Sequence, residues 1–117
     1  MTTTAISTEQ MLRDQCADIL ETISELETFE DSFYEFINDV LEVTAAGNGT
    51  VGEGWTVNTV DLLITFGGPN IRAKIDPETS SVEVVGQWGT DFVRLYGEVG
   101  DALTEWTREY AEQMESE

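Results

Sequence analysis

Residues 59–88, TVDLLITFGGPNIRAKIDPETSSVEVVGQW, decide the fold. Apolar side chains recur there at every second position: Val60, Leu62, Ile64 and Phe66, then Ile71, Ala73 and Ile75, then Val82, Val84 and Trp88. Successive side chains of a strand point to opposite sides of a sheet, so this period predicts three strands, each apolar on one face. Between them stand Gly67-Gly68-Pro69-Asn70 and Asp76-Pro77-Glu78-Thr79. Both are turn signals, since glycine permits positive φ and proline presets φ near −65°. Three strands joined by two short turns make an antiparallel meander. Its outer face carries Arg72 and Lys74 near Asp61 and Glu83, and Arg94 joins them on the next segment. Cross-strand ion pairing is the expected use of these charges. Leu63 and Val85 share that face, which leaves it open to a partner or to a second copy of the chain.

Working outward, Phe92 to Tyr96 is open to strand or helix, and a fourth strand is favoured because Gly97 and Gly100 interrupt a helix running through it. From Glu98 a helical period returns in Val99, Ala102, Leu103, Trp106, Tyr110 and Met114. Upstream, Ser7 with Gln10 reads as a capping box, in which hydroxyl and amide satisfy backbone N–H groups reciprocally. Leu12, Cys16, Ile19, Ile23 and Leu26 then mark one helical face, followed by Phe29, Phe33, Phe36, Ile37, Val40 and Leu41. Thr28 with Asp31 marks a second helix start, so the pattern allows two helices or one long bent one. Four glycines between Gly47 and Gly54 end the helical half. The expectation is a single α+β domain: helical over 1–46, a Gly-rich connector over 47–54, a three- or four-stranded antiparallel sheet over 55–97, and a helix over 98–117 packed on one sheet face.

Across 117 residues there are 24 acids and five bases and no histidine, for a net charge of −19. Eleven acids and one base fall in residues 1–44, six acids and three bases in 45–97, and seven acids and one base in 98–117. Negative charge therefore follows the helical segments. Such a chain repels phosphates and anionic lipid, which argues against direct nucleic-acid or membrane partners. No apolar run reaches spanning length, and residues 1–7 lack the basic start and apolar stretch of a secretory signal. The expected location is cytoplasmic. A lone Cys16 forms no intramolecular disulfide and suits a small buried position.

The acids lie in rows: Asp14, Asp18, Glu21 and Glu25; Asp31, Glu35, Asp39 and Glu42; Asp101, Glu105, Glu109 and Glu112. Steps of three or four residues space helical carboxylates roughly 5–6 Å apart. Phosphates along a nucleic-acid strand are spaced similarly, at about 6–7 Å. Any amphipathic helix has a polar outer face, but ordinary helices interleave opposite charges. Like charges at i,i+4 destabilise by roughly 0.2–0.5 kcal/mol per pair. Here they stand almost uncompensated. Two explanations answer this: adaptation to high salt, where screening removes the penalty, or a surface built to meet a strongly basic partner. The single lysine suits salt adaptation. Sixteen glutamates against eight aspartates, a full set of aromatics and the confinement of charge to helices suit a partner better.

No chemistry-bearing motif competes with that reading. Gly47-x-Gly49-x-x-Gly52 matches a dinucleotide fingerprint in letters, but it follows a helix and precedes a strand, the reverse of what a pyrophosphate needs. Asn48-Gly49-Thr50 matches a glycosylation acceptor and reads as a turn. Catalysis is not expected, because no acid pair is marked by spacing and there is no histidine or nucleophile elbow. No loop has calcium-site spacing, so neither metal nor cofactor is expected.

In size, acidity and layout the chain resembles the small acidic DNA-mimic inhibitors carried by phages and plasmids, of anti-CRISPR and anti-restriction type. Gly67-Gly68-Pro69-Asn70-Ile71, leading to Asp76 and on to Trp88-Gly89, is similar to small phage-borne accessory proteins. The resemblance implies a stoichiometric inhibitor filling the basic nucleic-acid channel of a defence complex. Binding is then expected through Asp14, Asp18, Glu21 and Glu25 and through Asp31, Glu35, Asp39 and Glu42. The alternative is a salt-adapted structural or adaptor protein whose charge serves solubility.

Overall fold

The computed structural model describes residues 7–50 and 54–116. Chain order is α1 (Thr8–Ser24), α2 (Asp31–Asp39), β1 (Glu42–Thr50), β2 (Gly54–Thr65), β3 (Asn70–Asp76), β4 (Ser81–Trp88), β5 (Asp91–Glu98) and α3 (Asp101–Glu115). The strands form one antiparallel sheet in sequence order. The fold is α+β, with five strands where three or four were expected.

The strand missed from sequence is β1. Val43 and Ala45 pair with Leu62 and Val60, and Gly47 and Gly49 pair with Val57 and Trp55. Helix ends at Asp39, so neither a helical stretch to residue 46 nor a connector over 47–54 is correct. Gly47 and Gly49 are part of that strand, and a bulge at Ala46/Gly47 brings Gly47 against the Thr56 carbonyl with no room for a side chain. Gly52 of the supposed fingerprint lies outside the described residues.

Two helices, not one, precede the sheet. At the start of α1 the Ser7 hydroxyl accepts from the Gln10 N–H at 3.1 Å. The other half of the expected box is missing, because the Gln10 amide instead donates to Asp14 at 2.9 Å. The second helix starts from Glu30 with no side-chain cap, so Thr28 does not play that part. Turns follow the sequence reading more closely: Asn70 accepts from the Gly67 N–H at 2.9 Å, and Asp76 accepts from the Glu78 and Thr79 N–H groups.

One sheet face and the three helices enclose the core, built from Leu12, Cys16, Ile23, Phe33, Val60, Leu62, Ile71, Ile75, Val84, Val93 and Leu103. Helix α1 lies over β4 and β5, and α3 over β2. Close approach of α1 depends on two strand glycines. A Cβ on Gly86 would stand 2.6 Å from Cys16 Sγ, and one on Gly97 would stand 2.7 Å from Leu20 Cδ1. Helix α3 is tied to the sheet by polar bonds: Trp55 Nε1 donates to the Met114 carbonyl at 2.9 Å, and Arg108 Nε to the Pro77 carbonyl at 2.7 Å. Phe66 does not continue the inward row. A bulge between Leu63 and Thr65 breaks the alternation, and Phe66 is 74% exposed.

Candidate functional site

Asp14, Asp18 and Glu21 stand on α1, and Glu25 caps its C-terminus in helical conformation (φ −90°, ψ −4°), so the first row continues unbroken. At 100° per residue the row lies about half a turn round the helix from Leu12, Cys16 and Ile23. Since those three are buried against the sheet, the row points to solvent. On α2 the same geometry opposes Asp31 and Glu35 to buried Phe33. Asp39, the last residue of α2, is exposed beside them. On α3, Asp101, Glu105, Glu109 and Glu112 are exposed opposite Leu103 and Thr107.

Glu42 does not belong with them. It opens β1 in register with Leu63, and its neighbour Val43 takes the inward position, so Glu42 stands on the outer sheet face. A helical period carried three residues too far had placed it in the second row. Seven of the eight predicted residues therefore lie on the helices or at a helix end, and the eighth is across the sheet.

Among the described residues none of these eight carboxylates is ion-paired; the one pair on these helices joins Arg13 to Glu9 at 3.7 Å, with both side chains about half exposed. No helix carries a base in its last turn, where a cation would be favourable. The helix layer is thus an anionic surface with its counter-charges left out.

Sequence reading overlooked Tyr34. It is 52% exposed between Asp31 and Glu35 and packs edge-on to Phe33, with centroids 5.2 Å apart. Its signal was its place one residue off the Phe29–Phe33 stripe. The ring is held by Phe33 on one side and offered to solvent on the other.

Three of the five bases gather on the far side of the molecule. Arg72 reaches Asp61 at 3.4 Å, Arg94 reaches Glu83 at 3.1 Å, and the Arg94 guanidinium lies 5.2 Å from the Phe92 ring centroid. The expected cross-strand pairing is present for the two arginines but, among the described residues, not for Lys74. Among the described residues no three acid or sulfur side chains are grouped to hold a metal ion, and no helix is long and apolar enough to cross a membrane.

Cys16 is buried, and burial pushes its thiol up, while Arg13 nearby pulls weakly the other way. A raised folded-state value favours the native protein below the unfolded thiol's range and is lost above it, so this contribution fades as pH rises past about 8.5. Iodoacetamide at pH 8 should label Cys16 at least about tenfold more slowly in the native protein than in 6 M guanidinium. Equal rates would mean that α1 does not cover the thiol.

Comparison with known proteins finds no family model, no curated protein and no solved structure that matches this chain.

Proposed function

We propose that the protein is a non-catalytic acidic binder whose helix layer docks in the basic groove of a nucleic-acid-binding protein, taking the place of the nucleic acid there. The observation that carries this reading is the exposed, unpaired rows Asp14, Asp18, Glu21, Glu25 and Asp31, Glu35, Asp39, all turned away from the core. A surface of one sign steers association and makes it fast and salt-sensitive. Tyr34 adds an aromatic face on which a partner's arginine can stack beside Asp31 and Glu35. A defence nuclease with a positively charged channel is the class of target that fits.

The test replaces one row: Asp14→Asn, Asp18→Asn, Glu21→Gln and Glu25→Gln together. Exposed ion pairs contribute roughly 0.2–1 kcal/mol each, so losing four should weaken capture of basic partners by about fourfold to several-hundredfold. Wild type should release those partners to duplex DNA or to about 0.5 M KCl, where screening is short-ranged. Equal capture by the row variant would remove the proposal.

A second reading rests on α3, whose exposed row extends the anionic surface to a third helix. Charge on every helix also suits solvation in concentrated salt. Thermal melting separates the two. A mimic should be folded in dilute buffer and gain only a few degrees in multimolar KCl, whereas a salt-adapted protein should unfold below about 1 M.

A further inference from the structure

The outer sheet face differs in charge from the rest of the molecule. Its two central cross-strand rows run Glu42, Leu63, Arg72, Val85, Arg94 and Thr44, Asp61, Lys74, Glu83, Tyr96. Three acids face three bases, so these rows are neutral on a chain of net charge −19. Three of the five bases are concentrated here. No helix packs on this side, and Leu63 in the first of these rows is 7% exposed. On the edge strand β5 of the same face, Phe92 (51%) and Tyr96 (67%) stand open. Beside Lys74 a depression of about 290 Å³, bordered by Thr59, Ser81, Glu83 and Tyr96, has room for an aromatic ring.

We infer that this face is where a second copy of the chain docks, face to face, in a two-fold dimer. Charge decides the occupant. Two copies approaching by their helix layers bring like rows together, whereas approach by the sheet faces opposes surfaces whose central rows carry no net charge. The ion pairs on the face are half-exposed, with Arg72 and Arg94 side chains 41% and 49% accessible, and Lys74 has no ion-pair partner within 4 Å among the described residues. Each base can therefore meet an acid of the other copy, as a self-complementary interface requires. Five strands about 4.8 Å apart and some seven residues of about 3.3 Å rise give roughly 550 Å² per copy. The total of about 1,100 Å² clears the roughly 1,000 Å² that a specific interface needs. Asp76 and Glu98 stand at one end of the face, so the contact centres on the neutral rows.

Such a dimer has a salt dependence opposite to that of the basic-partner complex. Screening weakens the repulsion between two −19 bodies, so association should tighten from 50 mM to 1 M KCl. Sedimentation equilibrium on the intact chain reads this directly. Phe92→Ser with Tyr96→Ser should weaken the dimer by at least about tenfold, as removing aromatic anchors does. Both side chains are exposed, and an unchanged circular dichroism spectrum would show that the fold survives. Arg94→Glu should weaken the dimer as well, and adding Glu83→Arg should restore it. The α1 row variant should dimerise like wild type, and the Phe92/Tyr96 variant should still capture basic partners, so each proposal can fail without the other. A chain that is monomeric at every salt concentration up to about 1 mM protein overturns the inference, as does an association untouched by the Phe92/Tyr96 change.

Discussion

Replacing Phe33 with alanine should destabilise the protein by about 3–5 kcal/mol, the range for deleting a large buried aromatic. On a domain of this size that lowers the melting temperature by roughly 10–25 °C. Phe33 is 1% exposed and is the buried residue of α2. Only the half-buried Phe36 and Ile37 pack against the core beside it. The helix has nine residues, no side-chain cap at its start and no base in its last turn, and it is too short to persist alone in water. Phe29, 4.9 Å away edge-on, and Tyr34 both rest on the same ring. The loss should therefore be local before it is global, with amide exchange over 31–39 rising first. Because Asp31, Glu35 and Asp39 are carried by α2, partner capture should fall along with helix protection. A drop below about 1 kcal/mol would mean that α2 is held by something other than this side chain.

Gly86→Ala carries the second large effect, and its sign is unusual. Glycine in a strand interior normally gains stability when given a side chain, by about 0.4–1 kcal/mol, because the unfolded chain loses freedom. Here the new Cβ would meet Cys16 Sγ at 2.6 Å and Leu12 Cδ1 at 2.8 Å, beneath a helix packed flat on the strand. Overpacking of this kind costs about 1–3 kcal/mol. Chemical denaturation should show that loss, and adding Cys16→Ala should return part of it, since removing the sulfur makes room. Coupling between the two sites of about 1 kcal/mol is expected for residues in direct contact. Strictly additive effects would place α1 elsewhere on the sheet.

The meander from β2 to β4 was legible because residues 59–88 alternate over most of their length and their turns carry Gly, Pro, Asn and Asp where backbone geometry demands them, while β5 was read only from the glycines that follow it. The helices α1 and α3 were legible from their stripes. β1 was not. Its inward positions are Val43, Ala45, Gly47 and Gly49, too small to declare a period, and Val40 and Leu41 prolonged the helical pattern past its end. Strand formation there is settled by pairing with β2, a contact between segments, not by propensity. The displaced Glu42 follows from the same error.

The chain alone determined that its charge is overwhelmingly negative and that the acids recur at helical steps, because composition and period are properties of neighbours in sequence. Tertiary structure decided which way those acids face. Burying Leu12, Ile23, Phe33 and Leu103 against one side of the sheet turns the rows on all three helices outward and leaves the other side bare. That bare side gathers Arg72, Lys74 and Arg94 with Asp61 and Glu83, from four different strands. Neutrality of a surface depends on which strands lie side by side, and that is set by register.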